Sequence, residues 1–248
     1  MPEWSDLEKV ALVVGGVRGI GLAAGDKLAE AGWRVVLADR DGPDDPAVTD
    51  RFACRVVDVT DSASVNALVA GVVQDFGRLN GVVNAAGYNR HGTVAEIEDC
   101  VWQDLFEVHL GGVLRVCRAA HSALGRAGGA VVNIASIGAR VGRPRRAPYA
   151  AAKAGVEAIT RTLAVEWAPQ NIRVNAILPG IIDTRLVREN IAAGRVSEAS
   201  LTGFVPLRRM GQASEIADAI EFLISSRASY ITGQSLVVDG GALANGDW

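Results

Sequence analysis

Residues 10–21 read VALVVGGVRGIG, and this stretch decides the fold. Its apolar, valine-rich beginning predicts a short buried strand over residues 10–15. Gly15, Gly19 and Gly21 follow where the strand gives way to a helical pattern. Glycines at such a junction let backbone N–H groups and a helix N-terminus approach a pyrophosphate, whose negative charge the helix dipole favours. The stretch therefore predicts a strand–turn–helix unit that binds a dinucleotide.

The rest of the chain alternates short apolar runs with longer helical patterns. Further strands are predicted at residues 34–39, 55–59, 81–85, 130–135, 173–178 and 235–239. Helices are predicted at residues 22–31, 61–76, 101–124, 148–167 and 214–224. The strands are rich in Val, Ile and Leu on both faces, which is typical of a parallel sheet covered on both sides. The expected fold is α/β: a single-domain Rossmann doubly wound sheet over residues 1–248, with about seven parallel strands flanked by helices on both faces.

Composition excludes several classes of function. The chain has 248 residues, of which 49% are hydrophobic and 21% charged, enough apolar material for a large core. With 25 basic and 28 acidic residues the formal net charge is −3, and aromatic residues make up 5%. A slightly acidic surface with few stacking platforms does not favour nucleic acid as a partner.

Localisation signals are weak but consistent. The apolar run at residues 11–17 is far shorter than the roughly 18 residues of a membrane span, and no longer run stands out, so no membrane partner is expected. The first ten residues carry acids and no apolar core, unlike a secretory signal. Cys54, Cys100 and Cys117 form no CxxC pair, so neither a disulfide framework nor a metal site is expected. A cytoplasmic location fits this cysteine usage best.

The residues after the second and third predicted strands bear on the choice of cofactor. Asp39 ends the second strand, where a carboxylate can accept both ribose hydroxyls of an adenosine and repel a 2′-phosphate, which favours NAD. Arg18 and Arg40 could each reach a 2′-phosphate, so NADP stays possible. Asp58 is placed either to meet the adenine or to cap its own turn.

Tyr149 and Lys153 lie four residues apart on a predicted helix and therefore project from one face. A nearby ammonium stabilises tyrosinate and lowers the phenol pKa from its usual value of about 10. Such a phenol can exchange a proton with an alcohol or ketone oxygen. Ser136, at the end of a strand, could hydrogen-bond the same oxygen.

Together, these motifs resemble the short-chain dehydrogenase/reductase family, and its 3-oxoacyl-[acyl-carrier-protein] reductase-like members in particular. In chain order they are VGGVRGIG at residues 14–21, NAAG at 84–87, Ser136, YAAAK at 149–153, RVN at 173–175 and Pro179-Gly180. The resemblance runs from about residue 9 to residue 241. It implies an NAD(P)-dependent short-chain alcohol dehydrogenase or carbonyl reductase. The preferred expectation is NAD(H)-dependent interconversion of a secondary alcohol and a ketone, and the alternative is an NADPH-dependent 3-oxoacyl-thioester reductase.

The resemblance also implies roles for individual residues. Tyr149 would be the general acid/base, Lys153 would hold the nicotinamide ribose and lower the Tyr149 pKa, and Ser136 would orient the substrate oxygen. The residues expected to bind the cofactor are Gly15, Arg18, Gly19, Ile20, Gly21, Asp39, Arg40, Asp58, Val59, Asn84, Ala85, Ala86, Gly87, Tyr149, Lys153, Pro179, Gly180, Ile182 and Thr184. A non-catalytic dinucleotide sensor is the competing class, and the intact Ser136, Tyr149 and Lys153 argue against it.

Two residues depart from the family pattern. Val14 stands where the family usually has a threonine whose hydroxyl braces the glycine turn, so a looser turn is expected. His109 stands where the family usually has an asparagine that supports a water leading from the lysine to solvent. His109 is therefore a candidate catalytic residue that relays protons near neutral pH, and the alternative is a histidine packed against the sheet.

Clues to the substrate come from two loops. Tyr88, Asn89, Arg90 and His91 follow the fourth strand and should border the pocket, with Asn89 as a candidate substrate contact. Residues 138–148 contain Arg140, Arg143, Arg145 and Arg146, and Arg146 resembles a substrate-side position of the family. Such a cluster can recognise a carboxylate or phosphate, or it can be a solvated loop or subunit contact.

Two expectations concern larger parts of the chain. The polar stretch at residues 183–209 shows no clear period and is expected to fold over a small-molecule substrate as a lid. The resemblance implies a homotetramer that uses the two long helices and the C-terminal segment as interfaces.

Overall fold

The computed structural model describes residues 9–245. The expectation about the first ten residues therefore falls almost entirely outside the described residues. The strands are β1 Val10–Val14, β2 Arg34–Asp39, β3 Ala53–Val56, β4 Gly81–Asn84, β5 Ala130–Ile134, β6 Arg173–Pro179, β7 Ile182–Asp183, β8 Gly211–Gln212 and β9 Ser235–Val238. The α-helices are α1 Gly19–Glu30, α2 Ala47–Arg51, α3 Ser62–Phe76, α4 Asp99–Phe106, α5 Gly112–Ala127, α6 Ala147–Trp167, α7 Arg185–Ala192, α8 Glu198–Thr202 and α9 Ala213–Ile224.

Seven of these strands form one parallel sheet in the order β3-β2-β1-β4-β5-β6-β9. The order reverses between β1 and β4, so the connections leave these two strands in opposite directions and open a crevice at their carboxyl ends. The remaining strands, β7 and β8, form a separate short pair. The predicted doubly wound parallel sheet is confirmed.

Side chains from alternate positions of the strands enter two separate cores. Leu12 of β1 packs with residues of α3, α5 and α6 on one face of the sheet. Ala11 and Val13 pack with residues of α1 and α9 on the other face. Both faces are thus buried, which explains why the strands carry continuous apolar runs rather than an alternating pattern.

Local signals fix the ends of several elements. The carboxylate of Asp61 accepts a hydrogen bond from the Ala63 amide and begins α3, as predicted. Gly77 ends the same helix in the left-handed conformation, with φ +72°. At the other end of the sheet, the Arg173 guanidinium donates to the carbonyls of Leu223, Ile224 and Ser225 and so satisfies the C-terminus of α9.

The predicted bounds of the third strand and of the helix over residues 101–124 differ from those in the structure. The third strand is Ala53–Val56 rather than residues 55–59, because its pairing with β2 ends where Val56 meets Asp39. Val57 and Val59 are buried beside the strand end, so their apolar character imitated a strand. The predicted helix over residues 101–124 is broken by a π-helical turn, Glu107–Gly111, which separates α4 from α5.

Residues 183–209 contain more order than their aperiodic sequence indicated. The helices α7 and α8 lie in this stretch, and Thr184 and Ser197 cap them through their hydroxyl oxygens. No helix within residues 9–245 combines the length and the apolar character needed to cross a membrane.

Candidate active site

The glycine turn has space for backbone only. Gly15 has φ +77°, and a Cβ added there would lie 2.4 Å from the backbone nitrogen of Ala86. A Cβ on Gly21 would lie 2.0 Å from the carbonyl oxygen of Gly15. Side chains at these positions would displace the end of β4 or the first turn of α1, so the chain reaches this packing only with glycine.

Backbone hydrogen bonds close this turn without a side-chain brace at Val14. The amides of Gly15 and Gly16 donate to the carbonyl of Ala38 at 2.7 and 3.1 Å. The Ala85 amide donates to the Val14 carbonyl at 2.8 Å. The turn is thus held by backbone bonds to the neighbouring strands, and the expectation that Val14 loosens it stays a prediction.

A cleft of about 950 Å³ opens between the carboxyl ends of β1 and β4. Of the residues expected to bind the cofactor, its wall contains Gly15, Arg18, Gly19, Ile20, Gly21, Asp39, Arg40, Asp58, Val59, Ala85, Ala86, Gly87 and Thr184. Asn84, Tyr149, Lys153, Pro179, Gly180 and Ile182 lie outside this wall. A glycine cradle that any Cβ would fill, at the mouth of a long crevice, fits a dinucleotide.

Acidic side chains dominate the end of the cleft beyond the glycine turn. The Asp39 carboxylate accepts hydrogen bonds from the amides of Arg40 at 2.8 Å and Val17 at 3.5 Å. Arg18 is bound by both carboxylate oxygens of Asp44, at 2.7 and 2.8 Å. This hydrogen-bonded pairing lowers the pKa of Asp44 to about 2. Arg18 is thus already neutralised by an acid of its own chain.

Asp58 caps its own turn, which is one of the two roles that the sequence allowed. Its carboxylate accepts from the amide and the hydroxyl of Thr60, at 2.8 and 2.7 Å, and these bonds lower its pKa. The residue also lines the cleft. Asp58 therefore shapes the turn that forms this part of the wall.

Three polar side chains meet where β5 ends and α6 begins. Ser136 Oγ accepts from the Gly138 amide at 3.0 Å, and the Ser136 hydroxyl is close enough to Tyr149 to lower the pKa of its phenol. Lys153 Nζ donates to the Ile134 carbonyl at 2.6 Å and lies 5.8 Å from the centroid of the Tyr149 ring. One turn of α6 therefore places phenol and ammonium side by side, as their spacing predicted.

The electrostatic surroundings of this group differ from the expected ones. Burial raises the pKa of Tyr149, while the hydrogen bond from Ser136 and the charge of Arg146 act in the opposite direction. Burial lowers the pKa of Lys153 to about 7. Among the charged side chains, Arg146 lowers the Tyr149 pKa. The influence expected of Lys153 on the same phenol stays a prediction.

His109 lies on the π-helical turn and is buried against the same group. Its ring meets the Tyr149 ring edge-on, with centroids 5.3 Å apart. Nε2 is 2.7 Å from the Tyr88 carbonyl, so this nitrogen carries the proton and Nδ1 is left without a partner among residues 9–245. A Cβ on Gly87 would lie 2.3 Å from His109 Cε1, so this ring position requires glycine at 87.

Burial and the nearby charge of Lys153 lower the pKa of His109 to about 3. The imidazole is therefore neutral throughout the physiological range. The expectation that it titrates near neutral pH is wrong, and its chemistry here is that of a neutral hydrogen-bonding group.

Comparison with known proteins identifies the family of this chain. The model of a family described as enoyl-(acyl carrier protein) reductase matches residues 15–242. The trans-4-hydroxycyclohexanecarboxylate dehydrogenase of Sinomonas cyclohexanicum is 36% identical, over 96% of this chain and 93% of that protein. The 3-oxoacyl-[acyl-carrier-protein] reductase FabG of Escherichia coli K12 is 35% identical, over 94% of this chain and 96% of that protein.

This chain belongs to the short-chain dehydrogenase/reductase family. A solved gluconate 5-dehydrogenase from Burkholderia cenocepacia J2315, in complex with NADP and tartrate, superimposes with a TM-score of 0.88. It is 33% identical, over 95% of each chain. As a member of the family, the protein is an oxidoreductase that works with a nicotinamide dinucleotide.

The asparagine of the family's NAAG motif is structural in this protein. Asn84 Nδ2 donates to Asn133 Oδ1 at 2.8 Å, and Asn133 Nδ2 donates to Thr160 Oγ1 at 2.9 Å. Thr160 donates in turn to the Val156 carbonyl at 2.8 Å. This buried chain joins β4, β5 and α6, so it fixes the glycine side of the site relative to Tyr149.

The family motif Pro179-Gly180 lies at the carboxyl end of β6, outside the cleft wall. A Cβ on Gly180 would lie 2.7 Å from the Cα of Asp239, so glycine is needed where β6 passes β9. Ile182 is buried in the core on the α1 side of the sheet rather than exposed to the cleft. Thr184 lines the cleft and caps α7.

Several residues of the cleft wall were missed by sequence reasoning. They are Asp41, Val57, Thr60, Asp104, Val108, Arg185 and Glu189. Arg185 and Glu189 come from α7, and Arg185 binds Asp44 at 2.8 Å. The helical spacing of these two residues, four apart beside a capping threonine, was the available signal.

The residues predicted on the substrate side are close to Tyr149 or to the cleft. Arg146 directly precedes α6, and its charge acts on Tyr149. Asn89 lines the cleft, and its side-chain oxygen is buried with no partner among the described residues. Partial burial lowers the pKa of His91, and the nearby charges of Arg146 and Arg145 lower it further.

Proposed function

We propose that this protein interconverts a secondary alcohol and a ketone with NAD(H), and that Tyr149 is the general acid/base. The observation that carries the proposal is the convergence of Ser136, Tyr149 and Lys153 beside a glycine-lined dinucleotide cleft. Hydroxyl groups of Ser136 and Tyr149 provide the two contacts that hold a reacting oxygen.

The nicotinamide, when bound, supplies or accepts the hydride. In the oxidative direction Tyr149 takes the proton of the substrate hydroxyl as the carbonyl forms, and in the reductive direction it returns that proton to the alkoxide oxygen. Ser136 donates to the same oxygen and fixes its position. Lys153, anchored on the Ile134 carbonyl, is a cation that binds ribose hydroxyls and neutralises the developing tyrosinate.

Asp39 and Asp44 support NAD rather than NADP. Asp39 lines the cleft at the position where adenosine hydroxyls are read, and Asp44 occupies the guanidinium of Arg18. The gluconate 5-dehydrogenase was solved with NADP, which supports the alternative that this protein binds NADP. Fluorescence titration separates them: we expect NADH to bind more tightly than NADPH, and tighter NADPH binding would overturn this choice.

The relatives suggest the first substrates to test. One acts on trans-4-hydroxycyclohexanecarboxylate, and the structure of another contains tartrate, and both molecules carry a carboxylate and a secondary hydroxyl. The FabG relative, matched over 94% of this chain, supports a 3-oxoacyl-thioester reductase as the second candidate. NADH formation from hydroxy acids, compared with NADPH consumption by a 3-oxoacyl thioester, distinguishes the two.

Tyr149→Phe tests the mechanism. We expect kcat to fall about 10²- to 10⁴-fold, the usual contribution of a general acid/base, with little change in NADH affinity. Tyr88→Phe is the matched control, because Tyr88 lines the cleft but contacts His109 through its backbone carbonyl. Unchanged turnover in Tyr149→Phe would remove the mechanism.

Larger-scale features complete the proposal. Residues 1–248 act as one domain, with residues 183–209 as the lid, and Arg185 of the lid contacts Asp44 at the cleft rim. Exposed Val165 and Tyr230 supply apolar surface on α6 and near the C-terminus for a homotetramer, which light scattering would test. The three free cysteines fit the reducing cytoplasm.

A further inference from the structure

We propose that Arg143 and Arg146, in the loop that precedes the helix of Tyr149, form a binding site for a carboxylate of the substrate. This inference rests on the proposed function and narrows its substrate class to secondary alcohols or ketones that carry a carboxylate. The site belongs to the loop between β5 and α6.

The four arginines of this loop fall into two pairs with opposite surroundings. Arg140 is exposed and makes a two-pronged bond to the carboxylate of Glu157, with a shortest distance of 2.6 Å. Arg145 is exposed and lies 4.0 Å from the Glu96 carboxylate. The more accessible guanidinium groups are therefore the ones that are paired.

Arg143 and Arg146 are partly buried and have no acidic partner within residues 9–245. Burial lowers the pKa of both, and the charge of Arg146 lowers that of Arg143 further. A protein normally buries a charge only with a counter-charge or a full set of hydrogen bonds. Two adjacent, unpaired cations in one partly buried place are therefore complementary to an anion that is not part of the chain.

Their position relative to the reacting oxygen suits a substrate. Arg146 immediately precedes α6 and acts electrostatically on Tyr149, three residues later. The Arg143 guanidinium lies over the Phe204 ring, 4.5 Å from its centroid, so it is held against the lid segment. The two cations thus connect the phenol to the lid. An anion bound between them also benefits from the N-terminus of the 21-residue helix α6.

The loop backbone keeps these side chains in place. Arg145 has φ +65°, an uncommon conformation for a residue with a side chain, and its carbonyl accepts from the Gly92 amide at 3.2 Å. The Arg140–Glu157 bond ties the beginning of the loop to α6. Arg140 and Arg145 therefore fix the loop, whereas the side chains of Arg143 and Arg146 are available for binding.

The test compares an acid with its neutral ester in three variants. Arg146→Gln and Arg143→Gln remove one cation of the site, and Arg145→Gln removes the same charge from the adjacent, exposed position. Substrates are trans-4-hydroxycyclohexanecarboxylate and its methyl ester. The readout is the ratio of kcat/KM for acid to ester, because any effect of Arg146 on Tyr149 is common to both substrates.

We expect wild type to prefer the acid and Arg146→Gln to reduce that ratio by about 10- to 100-fold, the usual value of a charge-assisted hydrogen bond. Arg143→Gln should reduce it in the same direction, whereas Arg145→Gln should change it by no more than about twofold. Equal ratios in wild type and Arg146→Gln, or an equal loss in Arg145→Gln, would overturn the proposal.

A binding measurement separates this inference from the proposed reaction. Cyclohexanecarboxylate lacks the reacting hydroxyl, so its binding needs no catalysis. It should raise the melting temperature of wild type and Arg145→Gln, but not of Arg146→Gln, and cyclohexanecarboxamide should raise none of them. Inorganic phosphate that stabilises wild type as well as the carboxylate does would overturn the carboxylate assignment. Arginine-dependent binding without turnover of any alcohol would instead leave this site standing and remove the proposed reaction.

Discussion

The arginines at the rim of the dinucleotide cleft and those in the loop before α6 are in opposite electrostatic states. At the rim, Arg18 and Arg185 both bind the carboxylate of Asp44. In the loop, Arg143 and Arg146 are partly buried with no acid beside them among residues 9–245. An arginine near a pocket therefore does not by itself indicate an anion site, because its pairing decides whether the charge is available.

This difference assigns a separate task to each region. The rim presents Asp39 and cations that are already neutralised, which suits the uncharged hydroxyls of a ribose. The loop presents uncompensated positive charge next to Tyr149, which suits an anionic substrate. In the function proposed above, specificity for the cofactor and specificity for the substrate depend on the same residue type in opposite pairing states.

At neutral pH, a large loss of stability is expected from removing an arginine that is paired. Arg140→Gln leaves the buried Glu157 carboxylate without its cation and should lower the free energy of unfolding by about 2 kcal/mol, less than for a fully buried pair because Arg140 is 43% exposed. Chemical denaturation measures this. Arg145→Gln, whose pair is exposed, should change stability by no more than about 0.5 kcal/mol. Equal losses of unfolding free energy in both variants would show that the Arg140–Glu157 pair contributes no more to stability than the exposed Arg145–Glu96 pair.

Removing the acidic partner of a paired arginine tests directly whether pairing decides what that arginine can bind. Asp44→Asn removes the carboxylate that holds Arg18 and Arg185, so NADPH affinity should rise about tenfold relative to NADH affinity. Fluorescence titration with both nucleotides measures the change. Asp45→Asn is the control, since it removes the same charge nearby while an asparagine oxygen can still accept from the Ala47 amide. Equal effects of the two variants would mean that general charge, rather than release of Arg18, sets the preference.

Much of this site was predictable because it depends on spacing along the chain. The glycines at 15, 19 and 21 and the four-residue interval between Tyr149 and Lys153 specify local geometry, and the structure shows that geometry. The doubly wound sheet followed from apolar runs of strand length that alternate with helical patterns. Local rules suffice where a turn or one helix face determines the outcome.

The parts that sequence reasoning missed depend on distant contacts. The separation between Arg18 and Asp44, or between Arg140 and Glu157, carries no periodic signal, so pairing emerges only once the fold brings these residues together. The π-helical turn at 107–111 was invisible because its residues continue a helical pattern. For the same reason the burial that alters His109 could not be read from the sequence.

A third charge state occurs at His109, which burial keeps neutral and which has no acidic partner among residues 9–245. Its folded pKa is about 3, below the usual value of 6.5. Between these values the unfolded chain binds a proton that the folded chain does not, so stability falls as pH drops from about 6.5 towards 3, by at most about 1.4 kcal/mol per pH unit. His109→Asn removes this proton uptake, and its stability should therefore decline less steeply with acid.

Melting temperatures of wild type and His109→Asn between pH 4 and pH 8 test this point. His121→Asn is the control, because it replaces a partly buried histidine that packs on Trp167 instead of Tyr149. The kcat profile above pH 6 should have the same shape in His109→Asn as in wild type, because a neutral imidazole has no ionisation there to lose. A limb of the profile that disappears in His109→Asn would show that the histidine titrates during turnover. In that case burial would not keep the His109 imidazole neutral, and its charge would change during the reaction.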